Sequence, residues 1–473
     1  MMNNQQLPAF PPTDGNNGEL PFLSALTQAE LIRSRQISPI ELTELYLDRI
    51  AKYDRDLGSF VTIMGDRAIA VARQQTEMLA STSPQELPPF FGVPTAIKDL
   101  NAVAGVPSSY GTIVMKDYIP DYDDGIVTLM QGAGFNILGK TSISELASFP
   151  YGEATGFPPS RNPWNLDYTP GGSSGGAAAA VAAGLIPIAQ GSDGGGSLRG
   201  PAHCCGLVAI KPTRGRVTDA PVGDRISGLA AIGPVARNVA DAAALLDVLS
   251  HPFPGDPYRL AQPETSFFAA SQIAPQPLKI ALCDEFLPFG RVHPLYRESI
   301  ERVGKLLARE GHSLEVTPLD VSGLIEPFST VWSAGVGMAG LPAEVLNPVN
   351  QYILTRSGAA SEYLKALGQL QVWARQFTIA LDRFDVILAP VYMHPTIKVG
   401  EWDNLSPAET FEKIKNWIVP CPIFNATGQP VVTIPVAKEP DTGLPIGVQL
   451  VGKLGMETTI ISLAAQLEKI VGN

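Results

Sequence analysis

The chain has 473 residues, 45% of them hydrophobic and 17% charged, the composition of an ordinary globular protein with a large core. Its formal net charge of −12 repels phosphate backbones and no Lys/Arg run offsets it, so nucleic acid is not an expected partner. Four cysteines, none in a C-x-x-C pair, argue against a disulfide framework, a zinc site or a thiol-redox site. They fit reduced thiols in a cytoplasmic protein, with no metal and no cofactor expected.

Residues 1–24 have neither the basic start nor the apolar stretch of a signal peptide and read as a loose arm. Helical periodicity begins near Thr27, which has capping-box spacing to Glu30. Ser38-Pro39-Ile40-Glu41 is a stronger helix start, and Leu42, Leu45, Tyr46, Arg49 and Ile50 then share one face. From Phe91 short apolar runs, 92–97 and 135–138, alternate with a helical pattern at 125–133, which predicts an α/β protein with a largely parallel sheet. The Ala-rich run 177–188 is broken by Gly184 and Pro187 and is shorter than the roughly 20 residues that cross a bilayer, so no membrane span is expected.

Pro-rich stretches at 83–90 and 251–276 read as surface connections. The second invites a division into two domains. Strand-like runs at 431–435 and 446–451 need a sheet to join, so a single domain over 25–473 is expected. Residues 319–378 are helix-rich and carry Trp332, Met338, Tyr352, Tyr363 and Trp373; they either cover a pocket or pack as ordinary helices.

Two glycine clusters carry the chemical signal: Thr169-Pro-Gly-Gly-Ser-Ser-Gly-Gly-Ala177 and Gly191-Ser-Asp-Gly-Gly-Gly-Ser-Leu-Arg-Gly-Pro201. Glycines at this density imply backbone held where a Cβ would clash, as when main-chain N–H groups converge on an oxygen. Three readings compete. Phosphate binding fails, because no lysine lies between Lys140 and Lys211 to complete a P-loop, and Arg199 occupies the third glycine of a dinucleotide fingerprint. An α/β-hydrolase esterase would use Ser174 within Gly172-Ser-Ser-Gly-Gly176, but residues 166–170 read as a loop, where a strand is required. Its histidine would come from His203, His251, His293, His312 or His394, none in a distinctive context. The third reading uses no histidine: Lys98, Ser173 and Ser197.

On these residues the sequence resembles the amidase signature family. Gly171 to Gly176 and Gly191 to Arg199 match its paired blocks, with 24 residues from Ser173 to Ser197. Further matches are Gly139-Lys-Thr141 with Glu145, Asn162-Pro-Trp-Asn165, Pro201 to Thr213 with Cys205, Gly428-Gln-Pro430 and Gly443-Leu-Pro-Ile-Gly447. The resemblance implies an α/β/α sandwich around a single mixed, twisted sheet, and carboxamide hydrolysis through an acyl-enzyme on Ser197. It implies Ser173, on a cis peptide, as proton relay and Lys98 as base. Lys98 must then be neutral, and burial among the apolar residues 91–97 would lower its pKa from the ordinary ~10.4.

The resemblance also implies an oxyanion hole of backbone N–H groups from Gly194, Gly195, Gly196 and Ser197. Asp193 and Arg199 would fix that loop, and Ser174 would hydrogen-bond within the site. Gly171, Gly172, Ser142 and Trp332 are the expected substrate contacts. Gly194, Ser142 and Ala209 depart from residues common in the family. The segment Arg214-Gly-Arg-Val-Thr-Asp-Ala220 is closer to stand-alone amidases than to the A-type component of glutamine amidotransferases, which acts on misacylated tRNA with a partner and remains the alternative. A non-enzymatic descendant ranks last, since all three chemical residues are present. The expected partner is a small-molecule amide; a homodimer stays open.

Overall fold

The computed structural model describes residues 19–472. Of the arm expected over 1–24, residues 1–18 lie outside the described residues. The inner end is not loose: Leu20–Phe22 forms a 3-10 turn, and the carbonyls of Pro21 and Leu23 accept from Arg237 Nη2 at 3.0 and 2.7 Å. The first helix, Ala25–Arg33, starts before Thr27, because Ser24 caps it by accepting from the Thr27 amide at 3.0 Å. In the Pro39–Leu57 helix the capping box is complete: Glu41 N donates to Ser38 Oγ at 3.3 Å and Ser38 N to the Glu41 carboxylate at 2.8 Å.

The strands are β1 (Phe60–Ile63), β2 (Pro94–Lys98), β3 (Asn136–Thr141), β4 (Ile188–Asp193), β5 (Val208–Lys211), β6 (Ala231–Ala236), β7 (Lys279–Leu282), β8 (Glu285–Leu287), β9 (Gly290–Arg291), β10 (Ser313–Val316), β11 (Leu319–Asp320), β12 (Val386–Pro390), β13 (Val431–Lys438) and β14 (Pro445–Gly452). The main sheet is mixed and has eight strands in the order β10-β7-β12-β14-β13-β5-β6-β4. It departs from the largely parallel expectation. Only β10–β7 and β7–β12 pair in parallel, while every pairing from β12 to β4 is antiparallel.

The reason is insertion. The β13–β14 hairpin from the chain's end enters between β12 and β5, and β6 enters between β4 and β5. Beyond the β4 edge lies a three-stranded sheet, β1-β3-β2. It meets β4 through a side chain where a ladder would stand, with Thr95 Oγ1 donating to Ile188 O at 2.9 Å. A third small sheet orders β11-β8-β9.

Helices cover both faces of the main sheet. On β14, positions 447 and 449 face the Arg199–Cys205 helix: Gly447 N donates to His203 Nδ1 at 2.9 Å, and Gln449 Oε1 accepts from Arg199 at 3.1 Å. Position 452 faces the other way, against Ile460 of the Glu457–Val471 helix. Chain from both sides of the 251–276 connection shares this sheet, since β5 pairs with β13. Among the described residues no helix is long and apolar enough to cross a membrane.

The C-terminal helix is tied to the loop after β5 by a buried two-pronged ion pair. Arg216 Nε and Nη2 lie 3.0 and 3.2 Å from the Glu457 oxygens, and Thr213 N donates to the same carboxylate at 3.1 Å. Removing one member leaves a buried charge without its counter-charge, which costs about 3–5 kcal/mol. Glu457→Ala should therefore lower the urea midpoint sharply, while Glu412→Ala, on an exposed carboxylate, should move it little.

Candidate active site

Three chain segments meet where β2 runs beside β4. Lys98 ends β2 and is fully buried. Ser173 and Ser174 precede the Gly175–Ala182 helix, and the Gly172–Ser173 peptide is cis. Ser192 and Asp193 end β4, and Ser197 lies in the tight turn between that strand and the Arg199–Cys205 helix. Lys98 Nζ stands 2.8 Å from Ser173 Oγ, 2.9 Å from Ser174 Oγ and 2.8 Å from Ser192 Oγ, with Ser192 O at 3.5 Å.

None of these partners is a carboxylate. Burial pushes the Lys98 ammonium down to about 7, with the charge of Asp193 opposing the shift and that of Arg225 adding to it. The lowered pKa favours the neutral amine far more than at an exposed lysine, beside three hydroxyls.

The Ser197 loop is shaped by a buried ion pair. Arg199 Nε and Nη2 each lie 2.9 Å from an Asp193 oxygen, both side chains being fully buried. Burial alone would push the Asp193 carboxyl up. Arg199 and the Asn425 amide outweigh it and hold the carboxyl well below the usual range. The same carboxylate accepts from Gly196 N at 2.7 Å and Leu198 N at 3.2 Å, pinning the turn. Gly196 takes a φ of 124°, open only to glycine.

That pinning bears on the expected oxyanion hole, because the Gly196 N–H is committed to Asp193. The amides of Gly194, Gly195 and Ser197 donate to no protein group among the described residues. Gly172 allows close approach: a Cβ there would meet Tyr151 N at 2.4 Å and Phe149 O at 2.6 Å.

The family model described as Amidase matches residues 41–461. The chain belongs to the amidase signature family. A Synechocystis sp. protein named "Putative amidase" is 49% identical over 449 residues, covering 95% of this chain and 88% of that one. The solved 6-aminohexanoate cyclic dimer hydrolase superposes with a TM-score of 0.87 at 29% identity, over 95% of this chain and 97% of that chain. A glutamyl-tRNA(Gln) amidotransferase component from Anaeromyxobacter sp. is 31% identical over 475 residues, covering 93% of this chain and 94% of that protein. The protein is an amidase, a hydrolase of amide C–N bonds.

In the amidase, Ser174 Oγ lies near Lys98, donates to Ser192 O at 3.2 Å and has no histidine partner. His203, buried with its pKa lowered to about 4, is occupied by Gly447 and Tyr296. His394 and His312 bond elsewhere, to Pro395 O and Gln466, and His293 caps a helix. The histidine-based esterase reading therefore has no geometry behind it. Ser197 makes no hydrogen bond to Ser173 among the described groups. The two border one cavity, and Ser197 O accepts from Ser174 N at 3.1 Å. In enzymes without substrate such contacts are often long and tighten on binding.

Of the expected substrate contacts, Trp332 and Gly172 line a cavity at Ser197. Gly171 and Ser142 do not: Gly171 packs on the Pro201 backbone, and the Ser142 backbone packs on Gly176. The sequence reading passed over Ser192, although it lies inside the second glycine block. It also missed Asn425, whose amide donates to Asp193 O and Oδ1 and to Leu229 O at 2.9, 2.9 and 3.0 Å. No local signal marks Asn425, which is more than 220 residues from the loop it supports.

Leaving such buried groups without a partner costs about 1–3 kcal/mol each. Asn425→Ala should leave the amidase folded by circular dichroism. It should lower kcat at least about tenfold with a smaller change in KM, because the N–H groups of the loop lose their aim.

Proposed function

We propose that the amide bond is cleaved through an acyl-enzyme on Ser197, with Ser173 as relay and Lys98 as base. The observation that carries this reading is the Lys98 nitrogen, buried among serine hydroxyls with its pKa lowered to about 7. Ser173 gives its hydroxyl proton to the Lys98 lone pair and takes the proton of Ser197, whose oxygen then forms a bond to the amide carbon. The carbonyl oxygen becomes an oxyanion held by the amides of Gly194, Gly195 and Ser197. As the C–N bond breaks, Ser173 returns a proton to the leaving nitrogen and regains one from Lys98. Water then attacks the ester by the same relay and releases a carboxylate and free Ser197.

The Asp193–Arg199 pair and Ser174 are positioning groups in this scheme. Every group named comes from one protomer, whether or not the chain pairs with itself. The net charge of −12 favours an enzyme acting alone on a small amide over a component of a tRNA-dependent complex. Four free, buried cysteines fit the reducing cytoplasm.

Ser197→Ala should abolish both turnover of an acyl anilide and labelling by a fluorophosphonate probe. Labelling retained in that variant would transfer the nucleophile to another residue. The sign of the pH effect follows from the base. Below pH of about 7 the amine is protonated and holds no lone pair, so log kcat/KM should climb with unit slope toward about 7 and level off above it. Lys98→Ala should lose several orders of magnitude in rate. If the wild-type profile were flat from about 6 to 9, lysine would not be the titrating group.

A further inference from the structure

Two lobes open from Ser197, and they expose different reacting groups. The first is lined by Gly172, Gly195 and Gly196 with Phe149, Phe328 and Phe411. The second is lined by Ser173, Ser192 and Gly194 with Tyr110, Met115 and Val336. Ser197 and Trp332 border both. Much of their space is open to solvent; the enclosed room is small in the first lobe and larger in the second. We propose that the amidase cleaves secondary amides with apolar groups on both sides of the C–N bond, the acyl group in the first lobe and the amine in the second. The inference rests on the roles given above to Ser197 and Ser173.

Direction comes from the proton. The tetrahedral carbon on Ser197 carries an oxyanion, an acyl carbon and the amide nitrogen. The nitrogen must lie within hydrogen-bond reach of Ser173, which returns its proton, and Ser173 borders the second lobe alone. Whatever the nitrogen carries therefore extends there, and the acyl group is left the first lobe.

Chemistry of the walls disfavours a zwitterionic substrate such as glutamine. Among the described residues no Asp or Glu borders either lobe to meet an α-ammonium group. The bordering cations already have carboxylate partners: Lys415 lies 2.6 Å from Glu412, and Arg225 lies 3.3 Å from Asp124 and 3.9 Å from Asp219. A buried carboxylate without a matching cation is strongly disfavoured.

Trp332 is the partition. Its ring stacks on Phe328 with centroids 5.9 Å apart, and it lies so close to the loop that a Cβ on residue 194 would meet Cζ3 at 3.0 Å. The glycine at 194, one of the departures from the family pattern, lets the indole rest there. Trp332 and Gly194 together are specificity-determining residues for which group enters which lobe.

The test uses the whole enzyme and steady-state kinetics on 4-nitroanilides of acetic, butyric and octanoic acids. Octanoyl methylamide, octanamide and glutamine are compared, with fluorophosphonate labelling alongside. Anilides should exceed glutamine by at least about a hundredfold in kcat/KM. Ile418→Trp narrows the first lobe and should lower the octanoyl-to-acetyl ratio at least about tenfold, while Ala339→Trp narrows the second and should lower the anilide-to-methylamide ratio similarly. If either variant fails to fold, Ile325→Trp or Met338→Trp at the same lobe replaces it.

Reversed ratios would overturn the assignment of the lobes. Glutamine or octanamide matching the anilides would overturn the substrate class; in both cases labelling at Ser197 leaves the nucleophile intact. No labelling and no cleavage would sink the underlying roles and this inference with them.

Discussion

Lys98 has three serine hydroxyls and a carbonyl around its nitrogen, in a place water does not reach. A buried ammonium needs a carboxylate or a lowered pKa, and the fold supplies only the second. A carboxylate in contact would have locked the proton on. Neighbouring Asp99 shows the contrast, since it pairs with Lys140 at 2.9 Å and so is turned away from Lys98. Two lysines on adjacent strands thus receive opposite treatment: Lys140 a counter-charge, Lys98 a ring of hydroxyls.

The second constraint is the Asp193–Arg199 pair, which does for the loop what the hydroxyls do for Lys98. A turn rich in glycine has little stiffness of its own. Here one carboxylate takes N–H groups from Gly196 and Leu198, and one guanidinium reaches Cys421 O, Asn425 and Gln449. These partners come from the C-terminal quarter of the chain. The hairpin that supplies Gln449 is the one inserted in the middle of the main sheet. The late-synthesised strands therefore hold a loop formed by residues near 195, and the site is not complete until the tail has joined the sheet.

Around this centre the walls come from elements that carry none of the proposed reacting groups. The Ile325–Gly337 helix brings Phe328 and Trp332 to Ser197, and the Pro407–Ile418 helix brings Phe411 and Ile414. In the proposed mechanism chemistry and selectivity are thus separated in the fold: the glycine blocks and β2 fix where a bond can break, and the helices fix what can lie on either side of it.

The sequence by itself determined the family and the capped helices and singled out the candidate reacting residues, because those signals are local. Two glycine blocks, Ser38 with Glu41, and a lysine after an apolar run can each be read within about ten residues. Apolar alternation alone overstated the parallel share of a sheet that the family resemblance implied to be mixed, and spacing alone did not mark Gly196 as bonded to Asp193. Strand order depends on which distant hairpin enters the ladder, and Gly196 is withdrawn from the donors by a carboxylate whose orientation Arg199 and Asn425 impose. Only the tertiary structure decided these, along with the walls of the two lobes, because each depends on contacts between residues separated by up to 250 positions. Spacing along the chain carries no information about which of them will meet.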